Sequence, residues 1–364
     1  MRAAKSVLIV IDSLSGGGAE KCMLRLADEM LALGQRVAMI SLSQGQDYPV
    51  SDKIELITFP EKSSRSLWRW YRRRDSRKRL LQAINTLAHG KPFDLILGNL
   101  EDANALLSGL GLKNVYMVVH NTISRELHQE RRRPLKYLKL KSKKKRMDGQ
   151  HLICVSKGVE EDVRNWQAIS PSSVRTIYNP LNQQALIDEL ETQHPSTELG
   201  QYIIHVGRFA RTKRHDLLMN MMSQLKSDVK LVCLCSKPKR VNALAKQYGV
   251  EHKVIAPGFD PNPYPWIANA EAMVLASDFE GFPTVLIESL ALGTQVVSAD
   301  CQHGPSEILL DELRQNLVPM DKRHELHRYV EHALSNPVDV SNAAVLKATQ
   351  GQVVAQQYLT LADS

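Results

Sequence analysis

Two cations five residues apart, Arg208 and Lys213, bracket the loop Gly207-Arg208-Phe209-Ala210-Arg211-Thr212-Lys213, directly after the β-branched run 203–206. At a strand's carboxyl end such a pair can converge on a diphosphate, the arginine as a planar fork and the lysine as a point charge. A second pattern fills 277–290. A run ending at Ala276 turns through Ser277-Asp278-Phe279-Glu280-Gly281-Phe282-Pro283 and continues as Thr284-Val285-Leu286-Ile287-Glu288. Pro283 is expected at the first helical position, so the N–H groups of Thr284 and Val285 would face an anion. Glu288, one turn into that helix, and Glu280, in the loop, are carboxylates that can accept hydrogen bonds from sugar hydroxyls. A third pattern, Ser15-Gly16-Gly17-Gly18-Ala19-Glu20, runs from the first apolar segment into a helix and would let backbone N–H groups approach a phosphate or a sugar. It is neither a dinucleotide fingerprint, since Lys21 stands where a third Gly or Ala belongs, nor a Walker loop. His120 closes the run 115–119 and precedes Asn121. Each feature alone also fits a bland role, because glycines mark turns, exposed cations are common, carboxylates cap helices and a lone histidine is often structural. The ligand reading gains from all four falling at strand ends.

No metal is expected. There is no Asp-x-Asp, and the lone Cys233-x-Cys235 pair has no partner pair at zinc spacing. The five cysteines are scattered over a long chain, which points to a reducing compartment and a cytoplasmic protein.

The elements that would position these residues follow from the rhythm of the chain. Short β-branched runs near 6–12, 36–42, 54–59, 93–98, 114–119, 151–155 and 174–178 alternate with helical patterns, of which 19–33 is the clearest, with Leu24, Ala27 and Leu31 on one apolar face. Residues 179–200 are polar, contain prolines and read as a linker. A second series has strands near 202–206, 229–234, 253–256, 272–275, 295–298 and 316–318. The expected class is α/β, with two Rossmann-like doubly wound domains, 1–185 and 186–340, facing across a crevice at the carboxyl ends of their strands, and a last helix within 341–364 crossing back to the first domain. A length of 364 residues fits two domains, and 43% apolar residues suffice for two cores. The longest apolar runs are far short of the roughly twenty residues that cross a bilayer. The amino-terminal stretch breaks at Asp12 and reads as a first strand rather than a signal peptide.

The net charge of +8 is local. Segments 61–80 and 125–146 together carry +16, leaving −8 on the rest. Both interleave apolar residues with the cations: Leu67, Trp68, Trp70 and Tyr71 in the first, Leu135, Tyr137, Leu138 and Leu140 in the second. Basic helices of this kind lie on anionic lipid, each cation near the surface contributing about 1 kcal/mol. A solvated face is the competing reading, and nucleic acid is the weaker third.

These residues resemble the retaining glycosyltransferases of family 4, the group 1 transferases of GT-B architecture. The likeness runs from Gly16-Gly17-Gly18-Ala19-Glu20 through His120-Asn121, Val155-Ser156, Tyr178-Asn179-Pro180 and Val206-Gly207-Arg208 with Lys213 to Glu280 and Glu288, the E-x7-E motif, and Gly304-Pro305-Ser306-Glu307-Ile308. Its carboxyl-terminal half is similar to enzymes that build bacterial surface polysaccharides and lipid-linked oligosaccharides from UDP-sugars. The resemblance implies a hexose or N-acetylhexosamine donor bound as its UDP conjugate without metal or other cofactor, a lipid-linked or cell-envelope saccharide acceptor, and a location on the inner face of the cytoplasmic membrane. It also implies roles. Arg208 and Lys213 would hold the diphosphate, Glu288 the ribose, and Glu280 and His120 the donor sugar. Gly17 and Gly18 would admit the diphosphate and acceptor, with Phe282, Thr284 and Val285 beside the nucleotide. Another GT-B activity, such as a sugar-nucleotide epimerase or a phosphorylase, and a non-catalytic protein binding lipid or nucleic acid through its basic arms are the alternatives.

Overall fold

The structure, a computed structural model, describes residues 4–60, 69–190 and 194–363. Its contacts divide the chain into one unit of Met1–Pro180 with Gly351–Ser364 and a second of Leu181–Gln350.

The first unit is a parallel seven-stranded sheet made of β1 (Ser6–Ile11), β2 (Arg36–Ser41), β3 (Glu55–Thr58), β4 (Leu95–Asn99), β5 (Val115–Val119), β6 (His151–Cys154) and β7 (Ser173–Thr176), in the order β3-β2-β1-β4-β5-β6-β7. The second holds β8 (Tyr202–Val206), β9 (Lys230–Leu234), β10 (Val254–Gly258), β11 (Ala272–Leu275), β12 (Gln295–Ala299) and β13 (Leu317–Val318), in the order β10-β9-β8-β11-β12-β13. All pairings are parallel, which requires helical crossovers and buries both faces of the central strands. This explains why Val7–Ile11 of β1, β5 and β11 are unbroken buried apolar runs rather than alternating ones. Strand order reverses between β1 and β4 in one unit and between β8 and β11 in the other. In an open parallel sheet the loops leaving such strands run to opposite faces, which is where a ligand crevice is expected.

Three expectations need correction. The helix Gly18–Ala32 buries Met23, Leu26, Ala27 and Met30 completely, while Leu31 is only half-buried, so the apolar face is centred one residue away from the 24/27/31 stripe. The second contact on that helix is the reason: Gly351–Thr360 packs along it, and the missing side chain of Gly351 leaves room for the buried Glu29. The linker contains a helix, Gln183–Asp188, capped by the Asn182 side chain accepting from the Ala185 N–H at 3.1 Å. The single terminal helix is two, Ala344–Ala348 in the second unit and Gly351–Thr360 in the first. Lys5 fastens the last turn, donating to the Leu359 carbonyl and pairing with Asp363, both at 2.7 Å. Of the first basic segment, residues 61–68 and the side chains of Trp70 and Tyr71 lie outside the described residues.

Candidate functional site

In the second unit the predicted residues emerge on either side of the switch in strand order. The loop after β8 passes Arg208, forms a 3-10 turn over Arg211–Lys213, and enters the helix His215–Gln224 through Arg214, held left-handed at φ 50°. The loop after β11 carries Asp278 and Glu280. The two loops are tied together. The Asp278 N–H donates to the Thr212 carbonyl at 2.8 Å, and Asp278 Oδ1 accepts from Arg214 at 3.1 Å and Arg323 at 2.6 Å. Arg214 also grips Asp216 at 2.7 Å, an interaction that drives its pKa further up. This tie brings Lys213 Nζ to 2.6 Å from Glu280 Oε1. Their side chains are only 20% and 13% exposed, so solvent screens the pair far less than a surface ion pair. Arg208 is exposed and has no ion-pair partner among the described residues.

Glu280 is pinned by its backbone as well, its N–H donating to the Gln302 carbonyl at 3.0 Å and its carbonyl accepting from His303 at 3.2 Å. The next turn leans on Gly304. At φ 101° a side chain there would be strained, and a Cβ would come within 2.6 Å of Pro283 Cδ and 3.0 Å of the Gly281 carbonyl oxygen. Pro283 is the residue before the helix Thr284–Ala291 rather than its first turn, because its ψ of 93° is extended. Thr284 and Val285 therefore open the helix with half-buried side chains, and Glu288 follows one turn later, buried at 6% exposure. Phe282, beside them in the loop, is buried.

Beneath the β8 loop lie two buried histidines. His205 donates from Nδ1 to the Val274 carbonyl at 2.9 Å, and its ring stands edge-on to that of His215 at 5.0 Å. Gly207 permits this approach, since a Cβ there would sit 3.2 Å from His205 Nε2. Burial depresses both pKa values, to about 3 for His205 and about 4 for His215. A histidine whose folded pKa lies below its unfolded value contributes stability that is complete above about pH 6.5 and lost as pH falls towards the folded values. Thermal unfolding scans are therefore expected to show stability dropping between pH 6.5 and 4, with a shallower slope in His215→Gln. An unchanged slope would remove His215 from that account.

In the first unit the glycine loop does something other than wait for an anion. The Glu20 carboxylate folds back over the start of its own helix into the space a Gly17 side chain would fill. An acid in the first turn is stabilised there by the helix dipole and the free N–H groups. A phosphate approaching Gly17 and Gly18 thus meets a carboxylate. Across the switch, Asp12 accepts from the N–H groups of Asp102 at 3.1 Å and Ala103 at 2.7 Å. Burial, reinforced by Asp102, raises its pKa to about 7.

His120 leaves β5 with its Nε2 3.1 Å from Asn99 Oδ1, and burial lowers its pKa to about 4, so the imidazole is neutral at physiological pH. The Asn121 amide donates to Glu126 Oε1 at 3.0 Å. Lys144, buried at the end of the basic helix Pro134–Lys144, reaches both Glu101 and Glu126 at 2.8 Å. Sequence reasoning missed Arg214, Asp278, Arg323 and Lys144. Asp278 lay inside a motif already in view, whereas Arg323 and Lys144 carry no local signal, because their partners are 45 and 43 residues away.

Comparison with known proteins places this architecture. The family model described as Glycosyltransferase Family 4 matches residues 16–184, and the one described as Glycosyl transferases group 1 matches 187–350. An N-acetylgalactosamine-N,N'-diacetylbacillosaminyl-diphospho-undecaprenol 4-alpha-N-acetylgalactosaminyltransferase of Campylobacter jejuni is 34% identical over 187 residues, half of each chain. The lipopolysaccharide 1,6-galactosyltransferase of Escherichia coli K12 is 29% identical over 45% of this chain and 47% of its own. The chain spans about half the length of the curated relatives it matches. A crystal structure of Anabaena HepE with UDP and glucose superposes with a TM-score of 0.67 at 17% identity, covering 99% of this chain and 97% of that one, a likeness of fold. With two Rossmann-like sheets of the GT-B kind and two family models that meet near residue 185, the chain belongs to the family 4, group 1 glycosyltransferases.

Proposed function

We propose that the protein is a glycosyltransferase that moves a hexose or N-acetylhexosamine from UDP to a lipid-linked or cell-envelope saccharide with retention of anomeric configuration. The observation that carries this is the Lys213–Glu280 pair in the loops at the switch in strand order of the second unit, with Arg208, exposed and without an ion-pair partner among the described residues, five positions earlier in the same loop. Two cations there can meet the charge that develops on a departing diphosphate. Lys213, already aligned by Glu280, needs no reorganisation to do so. Glu280 can in turn take up a sugar hydroxyl, and Glu288 a ribose hydroxyl. The names of the relatives supply the substrate classes: one acts on a diphospho-undecaprenol saccharide, another on lipopolysaccharide, and the HepE fold holds UDP and glucose. The reading includes metal independence, because Arg208, Lys213 and helix N–H groups provide the neutralising charge; chelator is expected to leave transfer unchanged.

UDP, UDP-glucose, UDP-galactose and their N-acetyl forms test the donor. A ligand bound only by the folded state at a hundred times its Kd stabilises by about 2.7 kcal/mol, which a thermal unfolding scan resolves. No shift with UDP or any of the four sugars would sink the reading. The anomeric configuration of the product, read by NMR coupling constants, tests retention.

Its acceptor class calls for a membrane surface, and the basic helix Pro134–Lys144 supplies one. Leu135 and Leu138, three residues apart and therefore on one face, are 84% and 60% exposed among Arg131, Arg132, Lys136 and Lys139. Among the described residues no helix is long and apolar enough to cross a membrane, so contact of this helix with anionic headgroups is the proposed mode of attachment. Leu135→Asp with Leu138→Asp is expected to cut flotation with phosphatidylglycerol vesicles severalfold at unchanged thermal stability. Full retention would leave this helix a solvated face.

A further inference from the structure

The basic helix is not uniform, and its far end serves a different purpose from its exposed face. Lys144 is buried, with 8% of its side chain exposed, and its ammonium lies 2.8 Å from Glu101 Oε1 and 2.8 Å from Glu126 Oε2. Both carboxylates lead to the turn that carries His120. Glu126 accepts from the Asn121 side chain through its other oxygen. Glu101 opens the helix that follows β4, two residues after Asn99, whose side-chain oxygen meets His120 Nε2. Lys143 adds a second link from the same helix, 2.8 Å from Asp102.

We propose that Lys144 is a positioning residue: clamped between Glu101 and Glu126, it fixes the His120–Asn121 turn and fastens the basic helix to it. The proposal rests on the reading of His120 as part of the transfer site for its functional meaning, but the clamp itself can be tested without any substrate. A buried ammonium with two close carboxylates holds those groups in one geometry, since losing it leaves two half-buried negative charges facing each other without a counter-charge. The elements around His120 carry Asp12 at the end of β1, Glu101 and Asp102 on the helix after β4, Arg125, Glu126 and Glu130 on the helix Ile123–Glu130, and Lys136, Lys139, Lys141, Lys143 and Lys144 on the basic helix. Of these, Glu101 favours the imidazolium and Lys144 opposes it, with burial the larger effect.

The sign of a substitution follows. With the lysine charge gone and Glu101 left, protonation of His120 becomes easier, so its titration moves up from about 4 towards the ordinary imidazole value. The experiment is NMR titration of histidine ring Cε1–H signals in the full chain, with His120 assigned by His120→Gln and the exposed His151 as an internal reference. In Lys144→Met the His120 midpoint is expected to rise by one pH unit or more and its chemical shift at neutral pH to move, while His151 stays in place. Lys144→Arg, which keeps the charge, is expected to restore both. Should the methionine variant fail to fold, Lys144→Gln, which keeps a donor for one carboxylate, is expected to show the same upward shift. A His120 signal with the wild-type midpoint and shift in either folded neutral variant overturns the proposal, as does a failure of Lys144→Arg to move the signal back. If the clamp behaves as stated and UDP-sugars still do not bind, the transferase reading falls and the clamp stands.

Discussion

Lys213→Ala is expected to lower transfer by about a hundred- to a thousandfold, the loss typical of removing one charged group aimed at the charge that builds up in a transition state. Its effect exceeds that of the more exposed Arg208 for a reason visible in the geometry. Lys213 lies 2.6 Å from Glu280, whose side chain is 13% exposed, so truncating the lysine also leaves a poorly solvated carboxylate facing the incoming diphosphate. The two losses separate in a double variant. Lys213→Ala with Glu280→Gln removes the repulsion as well as the attraction, and its affinity for UDP is expected to recover about tenfold over Lys213→Ala, even though turnover does not. Calorimetric titration with UDP measures the first quantity and steady-state transfer the second. UDP binding to Lys213→Ala within twofold of the unaltered protein would dismiss the cation from the site.

Gly304→Ala is expected to destabilise the second unit by about 3 kcal/mol, from a left-handed backbone together with a steric clash. The contacts that a Cβ would violate are mainly backbone, the Gly281 carbonyl oxygen and Phe282 Cα as well as Pro283 Cδ, none of which can swing aside as the end of a flexible side chain would. For a unit of this size the unfolding midpoint would fall by roughly 6–12 °C. The loop that must give way is the one that presents Glu280 and starts the helix Thr284–Ala291, so donor affinity is expected to drop together with stability. Gly293→Ala is the control. Gly293 shares a positive φ of 85° but has no atom within 4 Å of its Cβ position, and is expected to cost only the conformational part, about 1 kcal/mol. Equal losses at the two glycines would show that the close approach of 281–283 to Gly304 carries no weight.

Much of the second unit's candidate site is legible in the sequence. Arg208, Lys213 and Glu280 lie in the loops that leave strands whose apolar runs mark them, Glu288 lies on the helix that follows the second of those loops, and parallel pairing puts such strand ends on one edge of a sheet. The first unit was less legible. Gly16-Gly17-Gly18 reads as an open anion cradle until Glu20 is seen folded across Gly17, a local contact that sequence permits but does not demand. The pattern of the second basic segment suits a lipid-facing or a solvated surface, yet Lys143 and Lys144 are turned to Asp102, Glu101 and Glu126.

Local pattern alone therefore determined the α/β class and the described strands, and it nominated residues to face a diphosphate, because hydrophobic periodicity and turn chemistry act over a few residues. Which charges are spent on each other was decided only by tertiary structure. Whether a lysine meets phosphate, lipid or a carboxylate depends on what the folded chain brings within about 3 Å of it, and pairs such as Lys213 with Glu280 or Lys144 with Glu101 join residues 67 and 43 positions apart that no local rule connects.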